Sequence, residues 1–439
     1  MKIAWFTPFH KDSAIGKFSK YAAQSLSKYV KVDLFVFEKD NLHNTDLNKI
    51  YYNEQNITSL INDYDFCIYN MGDNTRYHAS VFDVMRLRRG IVIAHDLCLH
   101  NFFRAYYIAL NNNDASIYYN VMVKLYGSQD ALRILKAGDS FEEWNNLDLV
   151  KYNMSEELIP HSLGILVHSE HHKKIISKIY HGPICMTPLL YINESVSSKK
   201  FNNSSIFNSS KILNILTVGY VNPNKRIHSV IEAIGKSDIL RENVYYTVVG
   251  SLSNQLYADL LNQMIKNYGI EDSIQLVGYT DDEDLTLYYQ KADIVINLRV
   301  PALEGASASL IEQMNLGKIV VVSNTGMYSE MPDDCVIKIE PENEIKQLIN
   351  KLENIISSPS LHKKYGENAK MFSEHYFSSE QYGEKLYDFI QQILFSKPLY
   401  SLKDTITGEL RTINASSDMR ICSAISEEIE LLFSNKMKQ

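Results

Sequence analysis

The sequence predicts an α/β protein built from two doubly wound parallel sheets, Rossmann-like domains that face one another across a cleft. Three observations carry this expectation. Short Val- and Ile-rich runs alternate with longer stretches of helical spacing, as in parallel sheets covered on both faces. The alternation comes in two series separated by a stretch rich in Ser, Asn and Lys. A chain of 439 residues with 45% hydrophobic and 22% charged residues has room for two or three domains with full cores.

The elements follow in chain order. Strands are expected at 2–7, 31–37, 66–70, 90–96 and 164–169, which defines an N-terminal domain over 1–192. Residues 193–211 lack apolar periodicity and read as an interdomain linker. The second series, at 213–219, 244–250, 274–278, 294–299, 319–323 and 336–340, defines a C-terminal domain over 212–385. After about residue 342 that domain turns helical, with Ile345, Leu348, Ile349 and Leu352 at helical spacing. A C-terminal helical segment over 386–439 should pack back on the N-terminal domain, with 421–433 as an amphipathic helix.

Composition and motifs remove several function classes. The apolar runs fall well short of the ~20 residues a membrane span needs, and the amino end lacks a signal-peptide core, so the chain is expected in the cytoplasm. Five cysteines with no CxxC spacing fit packed thiols. A net charge of −8 argues against nucleic acid as a partner. No two glycines stand two residues apart, so the dinucleotide fingerprint is absent. A Walker loop around Gly16 fails at Lys11 and Phe18, and 305–309 lacks the second glycine of a nucleophile elbow. The histidines of 168–172 lack metal-site spacing and read as a solvated face opening a helix.

Ligands of open parallel sheets bind beyond the carboxyl ends of the strands, so the loops there hold the chemistry. The most informative is 294–317. Pro301 ends a strand, and Gly305, Ala306, Ser307, Ala308, Ser309 and Leu310 lead small side chains into a helix. Bare amides and the positive dipole end at such a helix start suit a diphosphate. Glu304 before the helix can accept hydrogen bonds from sugar hydroxyls, and Glu312 two turns in can take both hydroxyls of a ribose.

The pair Glu304 and Glu312 resembles the E-x7-E motif of retaining GT-B glycosyltransferases of family GT4, and Asn297-Leu-Arg-Val-Pro with Ser307-Ala-Ser-Leu resembles the bacterial cell-envelope branch. The segment 217–226, with Lys225 and Arg226, and the blocks around Asn70–His78 and His95-Asp96 are similar to further segments of that family. The resemblance implies GT-B architecture and transfer of a sugar from a UDP- or GDP-sugar to a glycan, lipid-linked or protein acceptor, with retained anomeric configuration. It implies no cofactor and no metal. By the same resemblance His95 lies beside the transferred sugar, Lys225 contacts the diphosphate with Arg226 as a weaker candidate, and the backbone at Tyr279 borders the nucleobase. Asp96 orients the imidazole or caps a helix, and Gly16 is the close-approach residue facing the phosphates. Tyr220 departs from the family's Arg after the glycine of the first C-terminal-domain loop. That departure is the one mark toward an alternative, a catalytically silent partner of an active transferase. The basic residues 86–89 and the lysines of 11–31 read as a solvated face or as a contact with an anionic membrane.

Overall fold

The computed structural model describes residues 1–138, 143–144, 147–191, 212–252, 254–412, 421 and 423–425. The N-terminal sheet holds β1 (Lys2–Phe6), β2 (Lys31–Val36), β3 (Lys49–Tyr51), β4 (Phe66–Met71), β5 (Gly90–Ala94), β6 (Ser162–Val167) and β7 (Ile184–Met186). Its helices are α1 (Ala14–Leu26), α2 (Ile57–Ile61), α3 (Thr75–Leu87), α4 (His100–Leu110), α5 (Ser116–Tyr126), α6 (Ser128–Ala137) and α7 (Glu170–Ile176). The second sheet holds β8 (Leu213–Val218), β9 (Val244–Val249), β10 (Ile274–Gly278), β11 (Ile294–Asn297), β12 (Ile319–Ser323) and β13 (Ile337–Ile339). Its helices are α8 (Ile227–Lys236), α9 (Asp238–Asn243), α10 (Gln255–Tyr268), α11 (Asp282–Lys291), α12 (Ala308–Asn315), α13 (Glu344–Ser357), α14 (Pro359–Tyr376) and α15 (Ser379–Thr412).

The strand orders are β3-β2-β1-β4-β5-β6-β7 and β10-β9-β8-β11-β12-β13. All pairings are parallel. In each sheet the order reverses beside the first strand, between β1 and β4 and between β8 and β11, and there the chain leaves a crevice at the carboxyl ends. The central strands are largely apolar because helices cover both faces: β4 and β5 are buried at every residue.

One apolar cluster runs from Ile3 and Leu34 through Leu310 and Val322 to Phe389, so the two halves share a core. Helix α15 makes much of that connection. Its Tyr382, Leu386, Phe389, Ile390 and Ile393 are buried, it packs along α1, and a Cβ on Gly383 would stand 2.2 Å from Ser25 Oγ. The helix starts at Ser379, ahead of the expected boundary at 385. The linker at 193–211 and most of the amphipathic stretch 421–433 lie outside the described residues.

The two strands the sequence does not announce, β3 and β7, are three-residue edge strands, too short for a pattern. The basic run 86–89 is tied into the fold: Arg86 donates to the Tyr106 hydroxyl at 3.1 Å, Arg88 to the Tyr64 carbonyl at 2.6 Å and Arg89 to the Pro160 carbonyl at 2.8 Å.

Candidate active site

The carboxyl ends of both sheets enclose a cleft of about 680 Å³. Ala14, Asp73, His78, His95, Asp96 and His168 line it from the N-terminal side. Tyr220, Asn222, Asn224, Lys225, Arg299, Glu304, Ala306 and Ala308 line it from the other.

Lys225 owes its place to glycine. β8 runs out at Val218, and Gly219 turns the chain with φ +105; a Cβ there would meet the Lys225 ammonium at 2.1 Å. The lysine, buried at 8% exposure, folds back over the strand end and donates to the Val218 carbonyl at 2.8 Å. Burial, with Arg299 nearby, pushes its ammonium well below the usual lysine range, while Glu304 works the other way. Arg226 does not reach the cleft. It sits in the left-handed region at φ +58, and its guanidinium pairs with the buried Glu344 at 2.9 Å, which spends its charge in the packing of α8 against α13.

Arg299, just beyond β11, is a site residue the sequence reading missed. It is 6% exposed, lines the cleft, and its Nε meets Glu304 Oε1 at 3.1 Å. Its position at a strand's carboxyl edge, before the strand-ending Pro301, was the available signal. The Tyr328 hydroxyl also donates to Glu304, and the Leu303 amide reaches its second oxygen at 3.2 Å. These donors fix the carboxylate on the cleft wall.

The loop carrying Glu304 hydrogen-bonds to the loop after β5. The Leu97 and Cys98 amides both donate to the Leu303 carbonyl at 3.0 Å, and the Gly305 amide donates to the His95 carbonyl at 3.0 Å. Gly305 is what permits this approach, since a Cβ would stand 2.7 Å from that carbonyl and 2.6 Å from His172 Nδ1. Beyond it Ser307 caps α12 by accepting from the Leu310 amide at 3.3 Å. That leaves the Ala308 and Ser309 amides without a hydrogen-bond partner among the described residues, at the positive end of the helix. Leu310 turns inward to the core, and Ser309 takes a bond from Asn297 at 3.3 Å.

On the facing wall, Asn70 at the end of β4 organises the imidazoles: its carbonyl accepts from His78 Nδ1 at 3.0 Å and its side-chain oxygen meets His95 Nε2 at 3.1 Å. Phe18 and His168 pack edge-on and tilted against His95, with centroids 4.7 and 5.0 Å away. Burial, and next the neighbouring His168, push the His95 ring well below the usual histidine range, so it is neutral. Burial likewise takes His78 and His168 to about 4. Asp96 accepts from the Asp73 amide at 2.8 Å, and burial, assisted by Glu304, raises its carboxyl to about 6. Asp73 receives the Phe102 amide at 2.7 Å; burial and then Asp96 raise it to about 8.

The structure thus brings His95, Asp96, Lys225, Glu304, Ala306 and Ala308 to one cleft, with Gly305 and Ser307 in the supporting loop. Besides Ser309 and Leu310, placed above, it does not bring four others there. Gly16 is buried in the first turn of α1, and its missing Cβ makes room for the Pro8 carbonyl 2.6 Å away; its amide is held by Ser13 Oγ at 3.1 Å. Its closeness serves packing within the domain. Tyr279 is 83% exposed and off the cleft wall. Glu312, half-buried on α12, stands beside the Tyr289 hydroxyl rather than in the cleft. Arg226 is the fourth. The histidines of 168–172 correct another expectation: His168, just after β6, is buried against the cleft, and His172 on α7 is buried against the Gly305 loop. Among the described residues no three His, Cys, Asp or Glu side chains are grouped to hold a metal ion.

Residues 198–372 match the family model described as Glycosyl transferases group 1. A search of curated proteins finds no match. Solved structures are similar over most of the chain. A glycosyltransferase from Rickettsia africae superposes with a TM-score of 0.61 at 16% identity, over 90% of this chain and 98% of that one. Sucrose-phosphate synthase from Thermosynechococcus elongatus gives 0.59 at 15% identity, over 90% and 99%. HepE from Anabaena in complex with UDP gives 0.57 at 14%, over 89% and 100%. Two parallel sheets of this order, closed on a shared cleft, have the GT-B glycosyltransferase fold, and the second of them lies within the residues that match the glycosyl transferases group 1 model.

Proposed function

We propose that the chain is a retaining glycosyltransferase that moves a sugar from a UDP- or GDP-sugar to a hydroxyl of a glycan, lipid-linked or protein acceptor in the assembly of a bacterial surface polysaccharide, lipopolysaccharide or glycoprotein glycan. One observation carries the reading: the cleft is polarised. Lys225, Arg299 and the open end of α12 offer positive charge on one wall, and His78, His95 and Glu304 offer hydrogen-bond acceptors near it. A nucleotide sugar has the matching polarity, with an anionic diphosphate joined to a ring of hydroxyls.

In the reaction the bond from the sugar's anomeric carbon to the phosphate oxygen breaks, and its electron pair stays with the diphosphate. The acceptor oxygen attacks from the same face and passes its proton to that leaving oxygen. The charge that develops is met by Lys225, by the Arg299 guanidinium and by the Ala308 and Ser309 amides; one such contact is worth about 10²–10³ in turnover. His95, neutral and held by Asn70, sits where it can steady the sugar. No protein nucleophile is used, and we read the reaction as independent of a metal and of any cofactor.

The silent-partner alternative rested on Tyr220. That residue lies 70% exposed at the cleft rim, and the buried Arg299 brings a guanidinium to the same cleft from another strand, so the missing arginine no longer favours it. Among the described residues no helix is long and apolar enough to cross a membrane. Peripheral contact with the inner membrane stays part of the proposal, to be checked by co-sedimentation with anionic liposomes at low salt.

The test is nucleotide release from UDP-, GDP- and dTDP-sugars by the purified protein, alongside Glu304→Ala and Lys225→Ala. Hydrolysis of one donor, lost in both variants, is expected. The absence of both nucleotide release and thermal stabilisation by any free nucleotide would overturn the reading.

A further inference from the structure

Asn70 is fully buried, and its bonds fix the hydrogen positions of two imidazoles. A backbone carbonyl can only accept, so His78 carries its hydrogen on Nδ1, 3.0 Å from the Asn70 oxygen, and Nε2 of the neutral ring is bare. The Asn70 amide donates to the Phe6 carbonyl at 2.9 Å, which makes its side-chain oxygen the acceptor for His95 Nε2. His168 repeats the pattern, since its Nδ1 faces the Thr187 carbonyl at 3.1 Å and Nε2 is left buried without a partner.

His78 and His168 both line the cleft, each almost wholly buried. Among the described residues nothing donates to His78 Nε2. Gly72 keeps it open, because a side chain there would stand 2.9 Å from Nε2 and 3.1 Å from Asp96 Oδ2. Across the cleft Asn222 and Asn224 each present a buried side-chain oxygen with no partner. Unpaired buried acceptors are costly, and they are matched by a ligand that brings donors. A phosphate ester brings none at neutral pH; a sugar brings several hydroxyls.

We propose that His78, aligned by Asn70, accepts through Nε2 a hydrogen bond from a carbohydrate hydroxyl in the cleft and so selects which sugar is held there. This rests on the nucleotide-sugar reading above. His78 is then a specificity residue and Asn70 a positioning residue. Its role in holding α3 to β4 needs Nδ1 alone, so the bare nitrogen has no structural task.

The experiment uses the full chain with ¹⁵N-labelled histidine, the His78 Nε2 resonance being assigned by its loss in His78→Gln. Two arms separate the source of the hydroxyl. The first adds UDP, UDP-glucose, UDP-galactose, UDP-N-acetylglucosamine, GDP or GDP-mannose. The second adds glucose, galactose, mannose or N-acetylglucosamine to protein saturated with the nucleotide it binds. Nε2 is expected to start at the position of an unprotonated nitrogen and to move upfield when the right sugar binds, and not with nucleotide alone. A shift in the first arm assigns the hydroxyl to the donor, and a shift only in the second assigns it to the acceptor. In parallel, His78→Phe should weaken binding of that sugar or sugar nucleotide about tenfold while leaving the bare nucleotide within twofold; the Gln variant, whose amide oxygen also accepts, should recover most of it. No shift in either arm, or equal weakening of nucleotide and sugar nucleotide by His78→Phe, would overturn the inference while the transferase reading stood. Wild-type protein that binds no nucleotide would remove the nucleotide-sugar reading, and this inference with it.

Discussion

Lys225 illustrates how a single residue is tuned by its surroundings. Free in water its ammonium would be charged at any physiological pH; folded over the end of β8, it pays for burial by a lowered proton affinity, and Arg299 adds repulsion. A diphosphate laid against it reverses the balance, because two or three negative oxygens favour the charged form. Binding should therefore take up a proton wherever the pH exceeds the lysine's value in the unliganded protein. Affinity for UDP or GDP should accordingly fall as pH rises through that range. Calorimetry over a series of pH values in two buffers of different ionisation enthalpy should show this uptake growing as pH rises for the wild type. Lys225→Met should abolish it and lower turnover by about 10²–10³. Equal proton uptake in both proteins would assign the coupling elsewhere.

At the scale of elements, the loop after β11 is where sequence and structure inform one another most. Its small residues, its helix start and Glu304 were legible, because backbone amides at a helix amino end and a glycine's missing Cβ are local properties. Arg299 was not, since an arginine on a strand end is ordinary until one sees its Nε on Glu304. Nor was the contact Gly16 makes with the Pro8 carbonyl of the same domain. The strands themselves were readable from their apolar runs, the edge strands β3 and β7 were not, and Glu312 shared a spacing with Glu304 without sharing its wall. What spacing cannot report is which way a side chain leaves its helix in the folded molecule. Gly305 makes the loop's own prediction: with 2.7 Å to the His95 carbonyl and 2.6 Å to His172 Nδ1, Gly305→Ala must push the two loops apart. Such overpacking costs about 1–3 kcal/mol. Its melting temperature should drop and donor hydrolysis should fall with it, whereas an unchanged melting temperature would mean the seam can widen freely.

For the whole molecule, the buried histidines set the response to acid. His78, His100, His168 and His228 are carried by burial to about 4 and His172 to about 3, and burial with His168 beside it carries His95 well below the usual histidine range. In the unfolded chain each would bind its proton near 6.5. Between those values the unfolded state holds protons that the native state does not, so stability is fully present above about 6.5 and is lost as pH falls toward 4. Carboxyls raised by burial act in the opposite sense. Asp73 at about 8 and Asp96 at about 6, with smaller rises at Glu156 and Asp293, are protonated in the folded protein where they would ionise in the unfolded one. The imidazoles outnumber them, so unfolding takes up protons on balance between pH 6.5 and 4.5. Melting temperature should therefore fall steadily over that interval, and His78→Gln or His168→Gln should flatten the fall. A melting temperature that held constant or rose as the pH dropped to 4.5 would mean that the raised carboxyls dominate, and that the cleft gains as much from its protonated acids as it loses at its neutral rings.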